Sequence, residues 1–385
     1  MKNKFLIQNE RIHLSSPNIN ICFRTLIEGQ LDKLNLEDAV RKVSIKHPFL
    51  RCCVEIDDQN NAWLTEKLTS VDIEYFDSSE IDWQTWYKNS DNKPFDFYKE
   101  PLIRICIIEG NNTEIIILGH HVIGDGIGYL NVVKDLLLAL DNNLEDVPLI
   151  PPTAFEDKYF KETFLLDQPI KDYVQWLNNE WKKSSAKFTQ DYFLNFFENY
   201  RKDYIPGLYM ASLDVNELSL LLKNCKSNNL SVNEIITSAF TLALMEILDK
   251  KEIRLGIAAN IRNELVSEPN CCLGNYVTGI TETIDANVHN GFIENANFIA
   301  GKLREKLQNK KNRHLAVHFL NEFDNDLIES IMYAAYGKFE HEISKKLAEL
   351  LEEKPESKGI GISNMGRHYF ENYASIKVID VQFIG

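Results

Sequence analysis

No apolar run in this chain approaches the roughly 20 residues that a membrane span needs. The opening Met1-Lys2-Asn3-Lys4-Phe5 lacks the apolar core and small-residue cleavage site of a secretory signal. Seven cysteines are present, an odd number, and none stands in Cys-x-x-Cys spacing, although Cys52-Cys53 and Cys271-Cys272 are adjacent pairs. That spacing indicates neither a zinc ribbon nor a disulfide framework. The thiols are expected as small buried apolar groups in a reducing compartment. Positive charge is also in deficit: 42 Lys and Arg against 57 Asp and Glu give a formal charge of −15. An acidic surface repels phosphate backbones and anionic lipid, which argues against nucleic acid and membrane surfaces as partners. Together these absences predict a cytoplasmic protein with no membrane span, and a monomer is expected.

A length of 385 residues exceeds one ordinary core, so two lobes are expected. Apolar residues at 44% and aromatics at 11% specify a packed globular chain. No internal repeat stands out. The first lobe is placed at 1–150, a connecting segment at 151–209 and the second lobe at 210–385. In the first lobe, Leu36, Ala39, Val40 and Val43 form a helical pattern after Asn35, which Pro48 stops near His47. Strands are expected at Leu50–Ile56, Pro101–Ile108 and Thr113–His121, and a helix at Ile127–Leu140. The connection carries Pro148, Pro151 and Pro152 and then many aromatics, which either line an acceptor pocket or, as the favoured reading, anchor the connection onto the lobes. In the second lobe, Asp214 with Glu217 and Ser231 with Glu234 have capping-box spacing. The helix over Val232–Leu248 is apolar almost all round and is expected to be buried. Strands follow at Ile253–Ala259, toward Thr283, at Gly359–Asn364 and at Val378–Phe383, with helical patterns at 291–308 and 321–351.

The most informative stretch is His120-His121-Val122-Ile123-Gly124-Asp125-Gly126, entered from the apolar run Ile115-Ile116-Ile117-Leu118. Successive side chains on a strand point to opposite faces, so the two histidines divide, one toward a site and one inward. This division counts against a metal, which needs converging ligands. One imidazole is expected as a general base, its pKa near neutrality suiting the task. Asp125, on the turn, is an acid, an orienter or an anchor; if buried, it needs a cationic partner. Arg262 and Arg104, both in or near strand-like runs, are the candidates. Gly126 and Gly128 let the chain turn and bring backbone close to a substrate. The competing account is that both histidines are hydrogen-bonded strand residues without chemistry.

The stretch His120 to Gly126 resembles the HHxxxDG motif of the chloramphenicol-acetyltransferase-like acyltransferase superfamily. Leu36-Glu37-Asp38-Ala39-Val40 followed by His47-Pro48-Phe49-Leu50-Arg51 is similar to that family's helix-to-strand element. Pro101-Leu102-Ile103-Arg104 resembles a strand start in it. Gly274-Asn275-Tyr276 and Ser363-Asn364-Met365-Gly366-Arg367 are similar to second-lobe motifs of the condensation-domain and alcohol-acetyltransferase-like branches. The absence of Asp-Phe-Gly-Trp-Gly weighs against the plant-type BAHD branch, and Ile127-Gly128 stands where condensation domains usually carry a serine. The chain also ends shortly after the strand at Val378–Phe383, where relatives often continue.

The resemblance implies an α/β fold of two such lobes, each a mixed sheet flanked by helices, in a V around a central tunnel. It implies His121 as the base that deprotonates a small hydroxyl or amine acceptor for attack on an acyl thioester. Asp125 becomes structural, paired with Arg262 first and Arg104 second, and His120 and Gly126 complete the motif. Ser363 and Asn364, or backbone N–H groups near Gly126, become oxyanion or substrate contacts. No bound cofactor and no metal are required. The donor is acyl-CoA or an acyl carrier protein, with acyl-CoA preferred and Arg254, Lys302, Arg304 and Lys306 offered as its phosphate patch. The alternative is a non-catalytic relative that binds a carrier protein, an acyl ligand or a partner through the same cleft.

Overall fold

Aliphatic side chains on both faces of one hairpin set the first lobe's architecture. In the computed structural model, which describes residues 4–385 except 68–69, 146, 152–156, 185, 288–289, 352, 354–358 and 371–372, that hairpin sits in a mixed five-stranded sheet. Strands β1 (Lys4–Ile7), β2 (Asn20–Glu28), β3 (Cys52–Ile56), β4 (Ala62–Glu66), β5 (Ile73–Asp77), β6 (Ile103–Glu109) and β7 (Asn112–His120) belong to the first lobe. A helix α1 (Lys33–Lys46) follows β2, α2 (Trp83–Asp91) follows β5, and α3 (Gly126–Leu140) follows β7. Ile115 and Ile117 of β7 face α1 and α3 through a core that includes Leu36, Val40, Val133 and Leu136. Ile116 and Leu118 face the other way, onto Cys22, Cys106 and Trp86 of α2. Burial on both faces explains why this strand reads as a continuous apolar run.

The connection contributes α4 (Gln168–Trp181) and α5 (Gln190–Asp203). Trp181, Phe193, Phe196 and Phe197 are buried and fasten it, while Trp176 and Tyr204 stay exposed. The second lobe follows with α6 (Val215–Ser227), α7 (Val232–Ile247), β8 (Ile253–Asn260), β9 (Val277–Ile284), α8 (Phe292–Gln308), α9 (Lys310–Asn321), α10 (Asn325–Ala335), α11 (Glu342–Leu350), β10 (Ile360–Ile362) and β11 (Val378–Ile384). Its sheet has the order β10-β8-β9, parallel between β10 and β8 and antiparallel between β8 and β9. Met245 of α7 and Ile299 and Leu303 of α8 pack on Leu255 and Ile257 of β8. The last strand leaves this lobe: β11 pairs antiparallel with β2, so the five-stranded order is β11-β2-β7-β6-β5. The remaining sheet, β1-β4-β3, is antiparallel.

Several local expectations shift. Helix α1 begins before Asn35, because Asp32 accepts from the Asn35 N–H at 3.0 Å and caps it. The strand expected from Leu50 starts at Cys52, since Pro48–Arg51 form a 3₁₀ turn. The helical pattern at 321–351 divides where Gly337 takes φ +66° and ends α10. Both capping boxes form. Helix α7 is not buried all round: Met245 is 1% exposed, yet Phe240 is 57% and Ile247 77% exposed. Five of the cysteines are buried, but Cys271 is exposed and Cys272 half-buried, in contrast to the uniform burial expected. No single described helix is long and apolar enough to cross a membrane.

Candidate active site

Strand β7 ends on His120, and the chain turns at once. His121–Ile123 form a 3₁₀ turn, Gly124 is extended, and Asp125 caps α3 by accepting from the Gly128 N–H at 2.8 Å. At Gly128 two backbones meet: a Cβ there would lie 3.1 Å from both N and O of Gly274, so any side chain would have to push the Gly274 backbone back by a few tenths of an ångström. The two histidines therefore separate through a change of backbone as well as through strand alternation.

His120 faces inward. Its ring meets Phe97 and Phe95 edge-on at 5.2 and 5.9 Å, and its Nδ1 accepts from the Val122 N–H at 3.2 Å. Burial, with the charges of His121 and Arg104, pushes its pKa down to about 3, so the ring is neutral. His121 is half-buried, and burial lowers its pKa below 6.5 against the opposing pull of Asp125, its own carbonyl and Asn275. Its Nδ1 is buried without a well-formed partner.

Asp125 is held by the other lobe. Arg262 Nη1 and Nη2 donate to Asp125 Oδ2 and Oδ1 at 2.8 and 2.7 Å, and the Tyr276 N–H donates to Oδ2 at 2.8 Å. Arg262 is 1% exposed, lies over the Tyr276 ring at 4.8 Å and also donates to the Gly274 carbonyl at 3.2 Å. The buried carboxylate thus has two forked donors and two backbone donors, the condition under which a buried pair is tolerated. Beside it, Asn275 Nδ2 donates to the His121 carbonyl at 2.6 Å and to that of Val122 at 3.3 Å. The loop after Leu273 therefore grips both the histidine and the aspartate.

Arg104 does not join this group, a correction to its candidacy as Asp125's partner. Its Nη1 donates to the Ser90 and Lys93 carbonyls at 2.7 and 2.6 Å, its Nη2 reaches Glu100 at 3.1 Å, and it stacks 4.0 Å from Phe95. Its role is to brace the wall behind His120, because its strand places it on the sheet's far side from α3. Ser363 and Asn364 line a groove near the motif without a hydrogen bond to His121; Asn364 Oδ1 accepts from Gly366 N–H at 2.7 Å. The cations offered as a phosphate patch are engaged: Lys302 by Asp285 at 2.9 Å, Lys306 by Glu282 at 3.1 Å, Arg304 by Glu234 at 2.6 Å, and Arg254 on the Leu351 carbonyl at 3.3 Å. Among the described residues no three His, Cys, Asp or Glu side chains converge as metal ligands.

Two residues at the site escape sequence reasoning. His13, on the 3₁₀ turn Asn9–Ser15, places its ring 4.6 Å from that of His121. Burial and the neighbouring His121 and His120 hold its pKa well below 6.5, so both rings of the His13–His121 pair are uncharged near neutral pH. Glu10, on the same turn, is pushed up to about 7 by burial. A short polar 3₁₀ turn carries no periodic signal; the only hint was a histidine and an acid beside the opening strand.

The condensation-domain family profile matches residues 10–311. The chain belongs to the condensation-domain family. Bacitracin synthase 1 of Bacillus licheniformis is 25% identical over 281 residues, 66% of this chain and 5% of that protein. Surfactin synthase subunit 1 of Bacillus subtilis (strain 168) is 21% identical over 262 residues, 66% of this chain and 7% of that protein. The chain thus spans a small fraction of the length of these curated relatives. In fold, the first condensation domain of the calcium-dependent antibiotic synthetase, in complex with a substrate analogue, superposes with TM-score 0.60 at 11% identity, covering 99% of this chain and 84% of that one. Polyketide synthase associated protein 5 from Mycobacterium tuberculosis gives 0.58 at 12% identity, over 99% and 87% of the two chains. The mixed sheets flanked by helices expected from the sequence are the condensation-domain fold. Condensation domains are acyltransferase-like enzymes that join carrier-bound substrates through amide or ester bonds and use no cofactor.

Proposed function

We propose that this condensation domain moves an acyl group from a carrier-bound thioester to a hydroxyl or amine acceptor, with His121 as general base. The observation that carries the proposal is a neutral, half-buried imidazole whose backbone carbonyl is held by Asn275 and which stands beside the Asp125–Arg262 clamp. In the step proposed, the acceptor's O–H or N–H gives its proton to His121 Nε2 as its lone pair attacks the thioester carbonyl. The carbon–sulfur bond then breaks, and the imidazolium returns its proton to the departing thiolate. Asp125 takes no proton: its oxygens are committed to Arg262, Gly128 and Tyr276. A carrier-bound donor is favoured over acyl-CoA because the family works on carrier-bound thioesters and the second-lobe cations already have partners. The same proposal assigns 1–150 to the motif-bearing lobe, 151–209 to the connection and 210–385 to the second lobe, with β11 crossing back.

The test is thiol release from acyl-pantetheine and acyl-carrier donors across a panel of alcohols and amines. His121→Ala is expected to lower acceptor-dependent release by about 10²–10⁴-fold, the usual contribution of a general base. Release that persists unchanged in His121→Ala refutes the base assignment. Donor binding with no turnover under any acceptor selects a binding module instead.

A further inference from the structure

An open groove of about 1170 Å³ runs along the second lobe's sheet, bounded by α7, β9, the segment after β10, and Leu208–Ala211. This volume exceeds that of most small-molecule sites. A chain that is 26% charged would place about six Asp, Glu, Lys or Arg among the 24 residues lining it. Among the described residues it places none there, and no histidine either. Ile236 and Phe240 of α7 are 38% and 57% exposed on this surface, the face that all-round apolarity had suggested would be buried. An apolar face of this kind on an acidic protein marks a binding surface.

The groove adjoins the candidate active site at Gly126. Met365 and Phe383 line its inner end, and both close on Gly126: a Cβ there would lie 2.8 Å from Met365 Sδ and 3.3 Å from the Phe383 ring. The wall formed by Val277–Thr281 continues directly from Asn275 and Tyr276, which hold His121 and Asp125. A substrate ammonium would find no side-chain counter-charge among the described residues here. Among the described residues no Asp or Glu side chain lines the groove, and Asp125 is saturated by Arg262, Gly128 and Tyr276.

We infer that this groove holds the alkyl chain of an uncharged fatty-acyl group, with its thioester end at His121 and its tail along α7 and β9. This inference rests on the acyl-transfer proposal above. Each methylene that leaves water for such a surface raises affinity by about two- to fourfold.

Ethyl, hexyl and decyl thioethers of pantetheine, which cannot be turned over, are the probes, and calorimetry gives their dissociation constants. Decyl is expected to bind at least tenfold more tightly than hexyl. Gly279 lines the groove with open space at its Cβ position and no left-handed φ, so Gly279→Leu fits the fold while filling the groove. It is expected to abolish the decyl-over-hexyl gain. Gly361→Leu, with equally open space, is the second plug should the first destabilise β9. Affinity independent of chain length overturns the inference, as does a decyl gain untouched by both plugs. A dimer in sedimentation that Phe240→Asp dissociates also overturns it, because a second copy then covers the groove. Binding and turnover separate the two claims. Chain-length dependence without thiol release defeats only the catalytic proposal, and His121-dependent release without chain-length dependence defeats only the groove.

Discussion

Replacing Arg262 by methionine removes the guanidinium and leaves a side chain of similar length over Tyr276. Asp125, 3% exposed, then retains only the Gly128 and Tyr276 N–H donors for a full negative charge. Two charge-assisted hydrogen bonds are lost, each worth about 1.5–3 kcal/mol. Independently, breaking one side of a buried ion pair costs about 3–5 kcal/mol. The two figures agree, and about 4 kcal/mol is the expected loss. Urea unfolding followed by tryptophan fluorescence and far-UV circular dichroism measures it, provided the two transitions coincide. The diagnostic variant is the double one. Asp125→Asn with Arg262→Met buries no charge, while the amide oxygen still accepts from one backbone N–H. It is therefore expected to be at least about 1 kcal/mol more stable than Arg262→Met alone, although it carries one more mutation. A loss below about 1 kcal/mol for Arg262→Met refutes the clamp. So does a double variant no more stable than the single one.

Three further outcomes follow from the geometry. His120 has a pKa of about 3 when folded and about 6.5 when unfolded, so the unfolded chain binds the extra proton between those values. Stability therefore falls as pH drops from about 6.5 toward 3, by about 5 kcal/mol in total from this group, and His120→Phe is expected to flatten that part of a pH–urea profile. For His121, whose folded pKa lies below 6.5, the acid limb of kcat/KM is expected below that value, and a limb above pH 7 speaks against it as the base. Gly119→Ala would place its Cβ 2.1 Å from the hydroxyl of fully buried Tyr129, so a loss of about 1–3 kcal/mol or more is expected in thermal or urea unfolding. A neutral Gly119→Ala would mean that the Tyr129 ring can move.

What could be read from the chain was local. Pro48 ends α1, and Asp214 and Ser231 cap α6 and α7, because each signal acts within one turn of its own residue. The division of His120 from His121 was also accessible, though its cause includes the 3₁₀ turn that follows β7. Choosing between Arg262 and Arg104 was not a local matter, since both stand near strand ends. Only the path from β8 through Asn260, whose Oδ1 accepts from the Arg262 N–H at 3.0 Å, brings one guanidinium across to α3. The exposure of α7 was illegible for a different reason. Apolarity on every side of a helix reads as burial, and only the tertiary structure distinguishes a core face from the wall of a groove. His13 and Glu10 lie on a turn too short for any period to reveal.

The pairing of β11 with β2 has a consequence for how the molecule is made. Its register joins Ile384 to Cys22 and Val378 to Ile27, partners separated by nearly the whole chain. As a ribosome extends the chain, β2 therefore has β7 on one side while its other edge presents bare N–H and C=O groups until β11 emerges. The first lobe can collapse early around α1, α3 and β7, yet its sheet closes only when β11 arrives. Contacts of such long sequence separation slow folding, and an open apolar strand edge is where a nascent chain is vulnerable to misassociation. Misassociation of a nascent chain is thus expected first at the open edge of β2, a strand with no part in the proposed chemistry.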